Sequence, residues 1–239
     1  MMVVKNEVDR YLEDCINWNH QFLDRVFVYD DGSTDATVEM CKDLGCVVVS
    51  RPDDSPSFLE HEGKFRHAAW RAFEQAIHPR LFDWVYAFDA DEFLVSNAER
   101  VAKALKLSIA SARKSHQLGV ILPFQEVFQI HEGQLYVRVD GLWRTVRGPR
   151  LFQYREGALW SDKPMGCGAE PSYVSKGRLS TKNYGLNVIH LGYARDEDKR
   201  SKYDRYSSLA VHGHNDSHIK SIVKKPTLKL WEGQVPTLS

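Results

Sequence analysis

Residues 25–35 read Arg25-Val26-Phe27-Val28-Tyr29-Asp30-Asp31-Gly32-Ser33-Thr34-Asp35. The apolar run from Arg25 to Tyr29 has the composition of a buried strand. The polar stretch after it carries a glycine and helix-capping residues, which predicts a tight turn into a helix over about 36–44. Gly45 ends that helix, and Cys46-Val47-Val48-Val49 is again strand-like. Strand, helix and strand in this order make a parallel unit with a right-handed crossover.

The same alternation extends in both directions. Upstream, Met1 to Val4 reads as a strand, followed by Val8, Tyr11, Leu12, Cys15 and Ile16 at helical spacing. Downstream, Pro52 to Ser57 is a loop, and Phe65, Ala68, Ala69, Ala72, Phe73, Ala76 and Ile77 form an apolar helical stripe. Trp84 to Phe88 is the next strand, ending in Asp89-Ala90-Asp91-Glu92. A helix over about 98–114 and a strand from Gly119 to Phe124 complete the series. The expected class is α/β, a Rossmann-type, mostly parallel sheet flanked by helices.

After residue 125 the pattern breaks into short aromatic segments, Gln134 to Val139 and Arg150 to Tyr154, which suggest antiparallel strands and long loops. Asp196 to Leu209 reads as a charged helix. The expectation is one domain over 1–239, with a ligand-binding half at 1–125 and an irregular α+β half at 126–239 that covers the ligand.

Lys plus Arg and Asp plus Glu both number 32 among 239 residues, and charged residues make up 27%, so the composition is that of a soluble globular chain. The cancellation argues against a nucleic-acid-coating protein. It also hides an asymmetry: residues 1–110 hold 12 basic and 20 acidic side chains, and residues 111–239 hold 20 basic and 12 acidic. An acidic half suits a divalent cation and a basic half suits a polyanionic ligand. Cys15, Cys41, Cys46 and Cys167 form no zinc framework. No apolar stretch is long enough to span a membrane and no secretory leader is seen, so a cytoplasmic setting is expected.

Ligands of open parallel sheets gather at the carboxyl ends of the strands. Asp30-Asp31 and Asp89-Ala90-Asp91-Glu92 both fall there. Crowded carboxylates need a cation or hydrogen-bond donors, and hard oxygen ligands suit Mg²⁺ or Mn²⁺. The plainer alternative is that each pair only caps the helix that follows.

Val26 to Asp35 resembles the nucleotide-binding signature of family 2 glycosyltransferases with the GT-A fold. Lys5-Asn6-Glu7 resembles the Asn-Glu at the end of their first strand, and Asp89-Ala90-Asp91-Glu92 resembles their metal-binding DxD motif. The resemblance spans about the first 95 residues, in the right order. It implies a metal-dependent transferase moving a sugar from a nucleotide-sugar, UDP-sugar favoured, to an acceptor hydroxyl on a carbohydrate or protein. It further implies that Asp31 meets the base, Asn6 or Glu7 the nucleoside, Asp89 the ribose or the metal, and Asp91 the Mn²⁺ or Mg²⁺. Lys64 and Arg66, at the start of the helix before the DxD strand, could assist at the phosphates, though a solvated helix face explains Lys64 equally well.

Asn187-Val188-Ile189-His190-Leu191-Gly192-Tyr193 resembles the late His-containing segment of bacterial and phage members, which makes His190 a metal or diphosphate ligand, with a structural histidine as the alternative. Arg195, Lys199, Arg200 and Lys202 follow on a basic helix that could reach the phosphates or simply face solvent. His212, His214 and His218 invite a zinc reading that lacks a cysteine partner. The tail from Pro226 to Ser239 would serve as a docking segment or an acceptor-side flap. Trp143 and Trp160 fit sugar stacking or core packing. Inverting members carry a catalytic carboxylate, often in a Glu-Asp pair, beyond the DxD strand; no such pair occurs over 120–190, which leaves Glu170 and Asp162 as single candidates for the base.

Two rival functions are a sugar nucleotidyltransferase and a carbohydrate-binding or scaffold protein that has lost turnover. The first usually has a Gly-rich basic loop after its first strand, where this chain has Asn6-Glu7-Val8-Asp9. No GxxxxGK[ST] loop and no GxGxxG after a strand are present, so P-loop and dinucleotide chemistry have no support.

Overall fold

The computed structural model describes residues 1–80, 83–97, 100–141, 143, 147–164, 168–209, 216–233 and 238. Three parallel strands, β1 (Met2–Val4), β2 (Phe27–Asp30) and β3 (Val47–Ser50), lie in the order β1-β2-β3. Helices α1 (Leu12–Asn19) and α2 (Thr37–Asp43) make the crossovers, and α3 (Glu62–Ile77) leads to β4 (Trp84–Tyr86). The Met1 amino group donates to the Tyr86 carbonyl at 2.9 Å and the Phe88 N–H donates to the Met1 carbonyl at 3.1 Å, so β4 runs beside β1.

Strand parity explains why the sequence needs two helical layers. Side chains alternate across a strand. Val26 and Val28 join Met2, Val4, Tyr86 and Phe88 in a core with Leu12, Cys15 and Ile16 of α1. Phe27 and Tyr29 join Val85 and Ala87 in a second core with Phe65, Trp70 and Phe73 of α3. Trp70 anchors that second layer, stacking on Tyr154 with ring centroids 5.6 Å apart. A strand that buries both faces reads as an unbroken apolar run, as Val26 to Tyr29 does.

The remaining strands form a mixed sheet. These are β5 (Glu92–Ser96), β6 (Gly119–His131), β7 (Gln134–Arg138), β8 (Arg147–Gln153), β9 (Leu179–Ser180), β10 (Leu186–His190) and β11 (Leu228–Leu230), with α4 (Val101–Lys114) and α5 (Ser172–Ser175) among them. Strand β8 lies antiparallel between β4 and β6, and β10 lies between β6 and β5. Helices α6 (Asp196–Leu209) and α7 (Asp216–Ile222) follow β10.

Several sequence-based boundaries shift. Helix α1 starts at Leu12, because Glu7 to Tyr11 are drawn into the loop that meets β2. The strand expected to stop at Phe124 continues to His131, changing partner from β8 to β7 through bulges near Val120 and Val127. Strand β5 was not anticipated, since Glu92 to Ser96 is short and opens on two acidic neighbours. Part of the tail is a strand rather than a free segment, with β11 pairing antiparallel to β7. Among the described residues, no helix is long and apolar enough to cross a membrane.

Candidate functional site

The polar turn after β2 is held by its own side chains. Asp30 is buried and accepts from the backbone N–H groups of Gly32 and Ser33 at 3.2 and 3.0 Å. Asn6 takes a left-handed backbone (φ 55°), which asparagine tolerates better than most residues. Its Oδ1 accepts from the Thr34 N–H at 2.8 Å, while its own N–H donates to the Ser33 hydroxyl at 2.9 Å. The Glu7 N–H donates to Thr37 Oγ1 at 2.8 Å. These bonds fasten the β1 and β2 loops to each other along the carboxyl edge of the sheet.

Asp31 is 4% exposed and fully partnered. Its carboxylate accepts from Arg51 Nε at 2.8 Å and from the Phe58 N–H at 3.2 Å, with Lys5 Nζ at 3.8 Å. Two cations and a backbone donor hold this group in a fixed direction.

The second carboxylate cluster follows β4. Asp89 has a side chain 41% exposed and lies 3.5 Å from Arg150 Nη2. Arg150 also donates to buried Glu92 Oε1 at 2.5 Å and packs over the Phe124 ring. Burial pushes the Glu92 carboxyl up to about 7 against the opposing pull of Arg150. Burial first, then Arg10 in opposition and the charges of Asp91 and Asp89, leave Glu7 raised to about 7 as well. Glu7 therefore feels the DxD carboxylates directly.

Asp91 is 8% exposed, and its Oδ2 lies 3.5 Å from His190 Nε2 and 3.7 Å from Lys202 Nζ. His190, at the end of β10, meets Glu126 Oε2 through Nδ1 at 2.5 Å. Burial disfavours the imidazolium, but Glu126 and Asp91 outweigh it and raise the His190 pKa to about 10. Burial also opposes the Asp91 carboxylate, yet His190 and Lys202 hold its pKa far below the usual range. Parallel pairing of β10 with β6 puts His190 opposite Glu126, and antiparallel pairing with β5 puts it opposite Glu92.

The structure thus brings Asp89, Asp91 and His190 to one edge, together with Glu7. Arg66 and Asp89 border a small cavity of about 20 Å³ shared with Trp160 and Ala169. Arg66 donates to Glu62 at 2.7 Å. Burial raises the Glu170 pKa, with Arg150 and Arg66 pulling the other way. Asp162 stands outside: its side chain is 80% exposed and meets His61 Nε2 at 3.3 Å. Lys64 and Arg200 are exposed. Arg195 binds Asp198 and Lys199 binds Asp196, whereas Lys202 reaches Asp91. Trp143 and Trp160 are both buried core residues. His212, His214 and Cys167 lie outside the described residues, as does the side chain of His218.

Arg150 and Glu126 escaped the sequence reading. Glu126 is the one acidic residue of β6, and that was the available signal; Arg150 shares β8 with Arg147, so nothing in the sequence singled it out. A cavity of about 870 Å³ opens at the other end of the sheet, beside Arg25, Trp84 and Arg113, away from these carboxylates.

Residues 1–106 match the family model described as glycosyl transferase family 2. The match runs from β1 into α4 and contains Asn6, Glu7, Asp31, Asp89 and Asp91. The crystal structure of residues 1–349 of S. aureus TarS superposes with a TM-score of 0.50 at 14% identity, covering 93% of this chain and 68% of that one. The same fragment in complex with UDP-GlcNAc gives 0.48 at 14% identity, covering 93% and 69%. Glucosyl-3-phosphoglycerate synthase from Mycobacterium tuberculosis, with Mn²⁺, UDP and phosphoglyceric acid, gives 0.33 at 19% identity over 52% of this chain and 41% of that one. No curated protein sequence is significantly similar to this chain. The chain has a GT-A-like α/β fold and resembles family 2 over its amino-terminal part.

Proposed function

We propose that this chain is a metal-dependent glycosyltransferase that moves a sugar from a nucleotide-sugar, a UDP-sugar by preference, to an acceptor hydroxyl. The observation that carries this reading is Asp91 Oδ2 lying 3.5 Å from His190 Nε2 at the carboxyl edge of the sheet, in a chain whose residues 1–106 match the family 2 model.

Asp31 would accept a base N–H on a carboxylate that Arg51 and the Phe58 N–H hold in place, and the Asn6–Thr34 fastening keeps that wall rigid. Asp91 and His190 present an oxygen and a ring nitrogen 3.5 Å apart in a buried recess, and the ring would become a donor as the cation displaces its Nε2 proton. Two protein donors leave the remaining positions to diphosphate oxygens and water, as Mg²⁺ commonly prefers and Mn²⁺ accepts. Such a cation would neutralise charge growing on the leaving nucleoside diphosphate. Glu126 holds the His190 ring through Nδ1, so Nε2 faces Asp91. Arg150 holds Asp89 and Glu92 in register beneath the site.

Glu170 is the proposed base, since burial raises its affinity for a proton and the charges of Arg150 and Arg66 act on it. The exposed Asp162 is the weaker of the two candidates. The single domain over 1–239 and the acceptor role of residues 126–239 belong to the same proposal. The free, buried thiols of Cys15, Cys41 and Cys46 suit a reducing compartment such as the cytoplasm.

Incubation with a panel of nucleotide-sugars and Mn²⁺ tests the reaction class. Release of nucleoside diphosphate is expected. Release of pyrophosphate would indicate a nucleotidyltransferase, and no release with any donor would indicate a binding module.

A further inference from the structure

Beside the Asp91–His190 pair stands a charge belonging to the protein. Lys202 Nζ lies 3.3 Å from His190 Nε2 and 3.7 Å from Asp91 Oδ2, resting 4.5 Å from the centroid of the Tyr193 ring. The space for it is provided by Gly192. A Cβ there would fall 2.0 Å from Lys202 Nζ, 2.5 Å from His190 Nε2 and 2.7 Å from Asp91 Oδ2. Any larger residue at this position would fill the recess in which the ammonium and its two partners meet.

Helix α6 is pinned through Asp198. Arg10 Nη2 and Arg195 Nε each bind a different oxygen of Asp198 at 3.0 Å, and Arg195 Nη1 donates to the Asp9 carbonyl at 3.2 Å. Asp198 lies one turn before Lys202, so these bonds fix the helix against the β1 loop. The ammonium then moves on its own flexible four-carbon stem, without displacement of the backbone.

We propose that the Lys202 ammonium is a tethered counter-ion of the Asp91–His190 pair, which a divalent cation must displace and which then turns to the diphosphate. This rests on Asp91 and His190 being the cation ligands of the proposed transferase. A divalent ion bound to Asp91 and an ammonium about 4 Å away repel strongly in a buried recess, so both cannot hold the position. The arrangement makes Mn²⁺ and nucleotide binding mutually dependent: the diphosphate gives the displaced ammonium a partner. It also keeps the buried Asp91 compensated when no donor is bound.

The test is Mn²⁺ binding without nucleotide, followed by the electron paramagnetic resonance signal of free aqueous Mn²⁺. Lys202→Met keeps the stem and removes the charge, and it should bind Mn²⁺ at least tenfold more tightly than the wild-type protein. Lys202→Arg keeps a cation there and should stay as weak as wild type. Adding UDP should raise Mn²⁺ affinity markedly in the wild-type protein and much less in Lys202→Met. Equal or weaker Mn²⁺ binding by a folded Lys202→Met protein, or no Mn²⁺ binding by it at all, overturns the proposal. If UDP binds none of the proteins, the donor assignment fails, while the nucleotide-free Mn²⁺ comparison still decides the role of Lys202.

Discussion

Asp31 and Asp91 are both buried carboxylates at the same edge of the sheet, and they are held in opposite ways. Asp31 takes its bonds from a backbone N–H and from Arg51, whose guanidinium also donates to the Pro52 carbonyl. Asp91 faces an imidazole and a flexible lysine, neither closer than 3.5 Å. The first is a fixed wall suited to reading one N–H of a base. The second has loose partners that can give way to a cation. In the proposed function, one strand end would recognise and the other would exchange.

The comparison breaks most readily at Asp91. Asp91→Asn should lower divalent-dependent turnover at least about 100-fold, the loss typical of a central electrostatic contact. Circular dichroism should show the fold retained, and wild-type-like activity would remove the cation role. Next in size is Arg150→Met, which leaves buried Glu92 without its partner. A stability loss of about 3 kcal/mol is expected from denaturant titration. The double variant with Glu92→Gln should recover part of it, and full additivity would show that the pair is uncoupled.

Asp31→Asn is expected to act more gently, raising the donor KM about tenfold with little change in kcat, because one base contact is worth on the order of 1–2 kcal/mol. A fall in kcat without a change in KM would place Asp31 in the chemical step and erase the contrast with Asp91. The smallest effect is a displacement in pH. Burial raises the Glu170 pKa, and a base works only when deprotonated, so kcat/KM should climb with pH through a limb above the ordinary carboxylate range. That limb should be missing from the residual activity of Glu170→Gln; its persistence would assign the base elsewhere.

The fold was legible wherever a strand buries both faces or a helix shows one apolar stripe. Val26 to Tyr29 and the Phe65 to Ile77 face are of this kind, and both lie where expected. The sequence was less informative where tertiary pairing decides the outcome. Strand β8 inserts beside β4 from far along the chain, and β6 is prolonged by partners it meets only in the folded state. The acidic clusters were visible because strand-end carboxylates stand out in sequence. Their compensating charges were not, since Arg150, Glu126 and Lys202 come from three separate elements and gain meaning only through proximity. Lys202 could not be told from Lys199 by spacing alone, and only the structure shows which of them turns inward.

A nucleoside diphosphate and a divalent cation are expected to bind together at this edge. Thermal denaturation with UDP alone, Mn²⁺ alone and both combined tests it most directly. Selective binding to the native state raises Tm, so the combined addition should give a shift larger than the two separate shifts added together. A Tm unmoved by UDP, GDP or dTDP in the presence of Mn²⁺ would contradict it.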